Sequence, residues 1–229
     1  MIADKKKFMM GCGLMATFAV ILILIFMPLF NGHNGLDYLD DLYNSISKGS
    51  AYYIPKMKEA ASTVSSSQID VSLDLTGTSK PDDVGALFTK AGAQVREDSG
   101  KLTVAGNLQA ILDNCLADSD LMYHNDGAAL TGKYGYDERQ VVYNWYLALK
   151  SMEKQLKGQK KFSEAKIVAE VVKKAVECSY NFYEIEPKKI SGSLGVVLFS
   201  LVFYVVYTLW YGFGFMYLFE GWGMKLEDH

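Results

Sequence analysis

Short catalytic and cofactor motifs are absent from this chain of 229 residues. It contains no Gly-x-x-x-x-Gly-Lys-Ser/Thr phosphate loop, no Gly-x-Gly-x-x-Gly turn, no Gly-x-Ser-x-Gly nucleophile elbow and no His-Glu-x-x-His zinc motif. Only three histidines occur, none of them in a Cys-x-x-Cys-His haem-attachment motif. The sequence therefore predicts no cofactor and no metal ion, and it favours a protein without catalytic activity of its own.

A basic surface is also lacking. Lysine and arginine number 23 against 26 acidic residues, which gives a net charge of −3. Outside two apolar runs the two signs are intermixed, and no basic stripe stands out. Because nucleic-acid binding depends on clustered positive charge, we expect no nucleic-acid partner.

Cysteine is scarce, with three in the whole chain. Cys12 lies in the first apolar run, where a thiol behaves as a small apolar group. Cys115 and Cys178 lie on separate apolar helical segments of the middle region. They form a candidate disulfide if that region faces an oxidising compartment, and two buried free thiols are the alternative.

Two long uncharged runs lie near the ends of the chain. Residues 8–30 and 194–219 contain 23 and 26 residues without a charged side chain. About 20 apolar residues in a helix cross a bilayer, and helix is the form that satisfies the backbone of a single segment in hydrocarbon. The sequence predicts two transmembrane helices, with 1–7 and 220–229 on one side of the membrane and a domain over 31–193 on the other.

The charges flanking the first run predict its orientation. Lys5, Lys6 and Lys7 precede the run, whereas acidic residues follow it. The positive-inside rule then places both termini in the cytoplasm and residues 31–193 in the periplasm of a bacterial inner membrane. Lys188 and Lys189, before the second run, oppose this orientation.

The first run is also too long, and its end too bulky, for a cleaved signal peptide.

The middle region alternates between strand and helix patterns. Apolar and polar residues alternate strictly over 68–76, which is typical of a half-buried strand. A helix is predicted from a cap at Ser79 to Gly92, followed by a strand over 101–105 and a helix over 107–116 capped by its first residue. This order predicts an α+β domain, ferredoxin-like in layout.

The rest of the middle region is predicted to contain a loop and a helical hairpin. Residues 119–136 contain three glycines and several polar residues typical of turns, which indicates a loop. Residues 137–183 carry two helical apolar faces separated near Gly158, which predicts two helices packed as a hairpin.

Aromatic residues run through the second apolar run instead of occurring only at its ends. Phenol and indole groups need hydrogen-bond partners in hydrocarbon, and glycine permits close helix approach. We interpret the stripe as a packing surface for other integral membrane subunits; an interfacial end of an over-long helix and a cofactor edge are the alternatives. The residues concerned are Tyr204, Tyr207, Trp210, Tyr211, Gly212 and Gly214.

The functional hypothesis is a non-catalytic accessory subunit of an inner-membrane complex, of respiratory or electron-transfer type, with other membrane subunits and the lipid bilayer as partners. The alternative is an extracytoplasmic ligand-binding sensor or adaptor, although a tail of about ten residues offers no output domain. A membrane-tethered enzyme would need a site assembled from scattered residues such as His124, Asp126, Tyr134 and Glu138.

Overall fold

The structure is a computed structural model that describes residues 2–30, 32–75, 80–98 and 101–224. It is mostly helical and forms two compact units, one made of Met1–Ile46 with Pro187–His229 and the other of Ser47–Glu186. The helices are α1 (Lys5–Phe26), α2 (Gly35–Ser50), α3 (Ile54–Ser62), α4 (Pro81–Lys90), α5 (Leu108–Tyr123), α6 (Gly127–Tyr134), α7 (Glu138–Gly158), α8 (Phe162–Val171), α9 (Glu177–Asn181) and α10 (Leu194–Gly221); the strands are β1 (Gln68–Leu73), β2 (Gln94–Asp98) and β3 (Lys101–Asn107).

Helices α1 and α10 coincide closely with the two apolar runs, and both are long and apolar enough to cross a membrane. The first starts earlier than predicted, because the Asp4 carboxylate accepts hydrogen bonds from the backbone N–H groups of Lys6 and Lys7. It also ends earlier, at Phe26. Met27 is extended, with ψ of 143°, since a residue before proline is driven out of the helical region and Pro28 follows.

The sheet of the second unit has the strand order β1-β3-β2, with both pairs antiparallel. The predicted alternation in β1 is confirmed, because Ile69, Val71 and Leu73 are buried and the residues between them are not. Helix α4 connects β1 to β2. Its predicted cap, Ser79, lies outside the described residues, and Lys80 occupies the N-cap position without a side-chain hydrogen bond.

This order matches the first part of a ferredoxin-like layout, but within the described ranges no fourth strand lies beside β1. Side chains from α7 and the segment after it cover that edge instead. Gln159 donates to the carbonyl oxygen of Asp70, Lys161 donates to that of Gln68, and Ser151 accepts from the Asp74 N–H. An edge strand otherwise exposes unpaired backbone groups. Here side chains of the helical hairpin form hydrogen bonds with three backbone groups along this edge.

The prediction of a loop over 119–136 is wrong. Helix α5 continues to Tyr123, and α6 follows after three residues. The polar residues that suggested a loop make specific helix contacts: Asp126 caps α6 through the Ala129 N–H. Gly135 ends that helix with φ of +82°, a conformation natural to glycine.

The predicted helical hairpin is confirmed. Its first arm is α7, and its second arm runs through α8, a π-helical turn over Val172–Val176, and α9. The indole of Trp145 is fully buried and packs edge-on against Phe88 of α4, with ring centroids 5.4 Å apart. The hairpin therefore shares one hydrophobic core with the sheet and α4.

Candidate functional site

Helices α1 and α10 pack against each other, and two aromatic side chains join them by hydrogen bonds. The Tyr207 hydroxyl donates to the carbonyl oxygen of Phe18 at 2.9 Å, and the Trp210 indole N–H donates to that of Leu14 at 3.1 Å. Phe18 lies nearer the end of α1 than Leu14, while Tyr207 lies nearer the start of α10 than Trp210. The two helices are therefore antiparallel, and each of these polar groups has its partner within the chain.

Three glycines allow the backbones of this helix pair to approach closely. A Cβ atom on Gly11 would lie 2.7 Å from the Leu218 nitrogen, one on Gly214 would lie 2.8 Å from the Met15 sulfur, and one on Gly221 would lie 2.5 Å from the Phe8 nitrogen. Small residues are the usual means of close packing between apolar helices. Of the three, only Gly214 belonged to the predicted packing residues.

Polar contacts join the N-terminal end of α1 to the C-terminal end of α10. The carbonyl oxygen of Gly221 accepts hydrogen bonds from the N–H groups of Ala3 and Asp4 at 2.9 and 3.0 Å. The Lys7 ammonium lies 2.8 Å from the Glu220 carboxylate. Opposite charges therefore meet at the outer turn of the two helices, beyond their apolar length.

A second set of residues on α10 lies beside the face that contacts α1. Tyr204 is 69% exposed and Tyr211 is 44% exposed, and among the described residues neither hydroxyl has a hydrogen-bond partner. Thr208 is exposed between them, and nothing lies within 4 Å of a Cβ placed on Gly212. At 3.6 residues per turn these four positions share one side of the helix. We call Tyr204, Thr208, Tyr211 and Gly212 the outward stripe.

The six predicted packing residues therefore divide into two groups. Tyr207, Trp210 and Gly214 contact α1 of the same chain. Tyr204, Tyr211 and Gly212 belong to the outward stripe, although the Tyr211 ring also touches Phe18 at a centroid distance of 5.2 Å. Half of the predicted packing residues therefore lie at a contact within the chain itself, and packing of the outward stripe against other subunits stays a prediction.

The second unit contains a buried carboxylate that sequence reasoning missed. Asp118 is fully buried on α5; it accepts hydrogen bonds from the Lys133 ammonium at 2.6 Å, the Tyr134 hydroxyl at 2.5 Å and the Trp145 indole at 2.8 Å. Burial and the bond to Asp118 raise the pKa of Tyr134 well above its ordinary value. Asn114 also forms hydrogen bonds with both Lys133 and Tyr134. The network therefore joins α5, α6 and α7, and the contacts of the Asp118 carboxylate hold these helices together. The signal in the sequence that could have revealed this site is an acidic residue among the apolar positions of α5.

The scattered residues considered for an enzyme each have separate structural contacts. His124 binds the carbonyl oxygen of Asp120 in the preceding turn, and Asp126 caps α6. Glu138 accepts hydrogen bonds from Thr131 and Tyr183, while Tyr134 belongs to the Asp118 network. In the described part of the chain, no three His, Cys, Asp or Glu side chains are grouped so that they could hold a metal ion.

The two cysteines of the candidate disulfide are free thiols in the structure, with Cys115 buried and Cys178 half-buried. Burial raises the pKa of both thiols, so neither has the lowered pKa of a reactive cysteine. The pairing of these two residues stays a prediction. No family model, curated protein or solved structure matches this chain.

Proposed function

We propose that the protein is anchored in a membrane by α1 and α10, which cross it as an antiparallel pair. The support is the way in which polar groups of the two helices are satisfied within the pair. Tyr207 and Trp210 bind backbone carbonyls of α1, and Thr17 and Thr208 bind carbonyls of their own helices. Such internal pairing is what a segment in hydrocarbon requires. Retention of the full chain in the pellet after carbonate washing tests this step.

The orientation that we propose places both termini in the cytoplasm and Ser47–Glu186 outside a bacterial inner membrane. Lys5, Lys6 and Lys7 support it through the positive-inside rule. Protease added to intact spheroplasts should then cleave within the second unit and leave a tag on the N-terminus protected. Cleavage of the tag with the second unit intact would reverse the orientation.

The role that we propose is that of a non-catalytic accessory subunit, which binds other integral membrane subunits through the outward stripe. The observation that carries this proposal is the Tyr204 hydroxyl, which lies ten residues into α10 and has no partner in the described chain. An unpaired hydroxyl in hydrocarbon costs free energy. A neighbouring helix that accepts its hydrogen bond would remove that cost, and the open surface at Gly212 leaves room for such a helix.

Site-specific photo-crosslinking tests the role of the outward stripe. A photoreactive residue at Thr208 is compared with one at Val206, which is also exposed but is rotated by about 200° around the helix. Crosslinking in intact cells should yield one discrete protein adduct from position 208 and lipid adducts alone from position 206. Lipid adducts alone from both positions would contradict the accessory role while leaving the membrane anchor intact.

A further inference from the structure

A shallow groove lined by three tyrosines lies on the outer side of the helical hairpin. It has a volume of about 230 Å³ and runs between α7 and the second arm of the hairpin. We call this surface the tyrosine groove. Its lining residues are Val142, Tyr143, Tyr146, Val176, Glu177, Tyr180 and Asn181.

The tyrosine rings form two walls of the groove. Tyr143 and Tyr146 are nearly parallel, with centroids 6.2 Å apart and planes at 20°, while Tyr180 from the opposite arm lies 6.5 Å from Tyr143 at 45°. Tyr143 and Tyr180 are exposed and Tyr146 is half-buried. Within the described chain none of the three hydroxyls has a hydrogen-bond partner, so these rings are not held by the polar contacts that fix the buried tyrosines of this unit.

One charged residue lines the groove, and it is acidic. Glu177 is half-buried, and among the described residues no Lys, Arg or His forms an ion pair with it. It directly follows the π-helical turn over Val172–Val176, a feature that is frequent at functional sites. A partly buried carboxylate without a counter-ion attracts a cation.

The chain itself supplies an example of a cation on one of these rings. The Lys150 ammonium lies 5.9 Å from the centroid of Tyr146, which is within the range of a cation–π contact. Aromatic faces carry negative potential, so several of them beside a carboxylate form a site for positive charge. An anion would be repelled by the same groups, and a neutral apolar ligand would remove water from Glu177 without compensation.

We propose that the tyrosine groove binds a small alkylated ammonium ion. Its methyl groups would contact the faces of Tyr143, Tyr146 and Tyr180, and its charge would lie near Glu177. Recognition of quaternary ammonium groups by aromatic cages follows the same physics. This inference is independent of the membrane role of the outward stripe, because the two sites lie in different units.

Titration calorimetry on the full chain in maltoside detergent tests the proposal with choline as the probe. The control ligand is the neutral isostere of choline, in which carbon replaces the ammonium nitrogen. Choline should bind about tenfold more tightly than the isostere, because only the cation gains from the rings and the carboxylate. Equal binding of the two, or no binding of choline, would overturn the proposal.

Variants locate the binding site. Tyr143→Leu and Glu177→Gln should each weaken choline binding by about two- to fivefold, whereas Tyr143→Phe, which keeps the ring, should retain it. Matched controls outside the groove are Tyr53→Leu and Glu59→Gln. An unchanged affinity in Glu177→Gln would contradict the inference, and this variant preserves side-chain volume if Tyr143→Leu fails to fold.

The ammonium group could come from a free cation or from a lipid headgroup, and reconstitution distinguishes them. Choline is titrated into the chain held in nanodiscs of phosphatidylglycerol and, separately, of phosphatidylcholine. A weaker apparent affinity in phosphatidylcholine means that headgroups compete for the groove, and equal affinity means that the ligand is a free cation. Both results support an ammonium site, and loss of choline binding in both kinds of disc would contradict it.

Discussion

The ring of Tyr207 stacks on the ring of Phe18, with centroids 4.3 Å apart and planes at 13°, while its hydroxyl donates to the backbone carbonyl of that same residue. One side chain thus supplies both apolar and polar contact between α10 and α1. The stacking alone would allow sliding along the helix, but the hydrogen bond selects one carbonyl. Tyr204, one turn earlier, has neither a ring partner nor a hydroxyl partner in the described chain, and for this reason we propose that it lies on a surface for other subunits.

The close approach of the helix pair predicts a difference between two glycines of α10. Gly221→Ala would place a Cβ 2.5 Å from the Phe8 nitrogen, whereas Gly212→Ala meets nothing within 4 Å. Overpacking of this kind costs about 1–3 kcal/mol, so Gly221→Ala should lower the thermal unfolding midpoint in detergent. Gly212→Ala, its matched control, should leave the midpoint unchanged. Equal midpoints for the two variants would contradict the packing of α1 on α10.

Removing the charge of the buried Asp118 is predicted to destabilise the second unit. Asp118→Asn leaves the Lys133 ammonium without its counter-ion and presents an amide to the Trp145 indole N–H. Breaking a buried pair in this way costs about 3 kcal/mol or more. Asp113→Asn on the exposed side of the same helix should cost less than about 0.5 kcal/mol. Denaturant unfolding of both variants tests this, and a small effect at Asp118 would mean that the network does not hold the unit together.

Alkaline pH is predicted to unfold the second unit through its tyrosines. Burial raises the pKa of Tyr123, Tyr136 and Tyr183 to about 12, against 10.0 for an unperturbed phenol. The folded state therefore holds protons that the unfolded state releases, so this contribution to stability is complete below pH 10 and declines as the pH rises toward 12. Lys48 acts in the opposite direction, because burial lowers its pKa.

Two measurements test this pH dependence. Phenolate absorbance should show a group of tyrosines that ionise about two pH units later than the others, and denaturant midpoints should fall between pH 10 and 12. Tyr123→Phe should reduce the slope of that fall, because it removes one of the titrating groups. A flat stability profile over this range would contradict the assignment.

The buried Cys115 thiol is predicted to react slowly in the folded protein. Because burial raises its pKa and the thiolate is the reactive form, a maleimide should label Cys115 only after denaturation. Labelling of all three cysteines in denaturant without reductant would show that Cys115 and Cys178 do not pair. Labelling of Cys12 alone under those conditions, with the other two appearing after reduction, would instead demonstrate the disulfide.

Local patterns accounted for most of the secondary structure. Alternation in β1, the hairpin faces of α7 and α8 and the Asn107 cap of α5 depend on a few neighbouring residues, and each was recognised. The failure over 119–136 came from counting glycines as loop residues. Gly127 lies in α6, where a Cβ atom would collide with the Tyr183 hydroxyl, so this glycine provides space for a residue 56 positions away and does not mark a loop.

By itself, the sequence determined the type and approximate position of the two long apolar helices, of β1 and of the helical hairpin, because helical and strand periods are properties of neighbouring residues. Only the tertiary structure decided which side of α10 meets α1, that Asp118 lies at the centre of a buried network, and that three tyrosines share a groove with Glu177. Each of these facts depends on distances between segments far apart in the chain. Helical spacing places residues on a face, and packing alone decides what that face contacts.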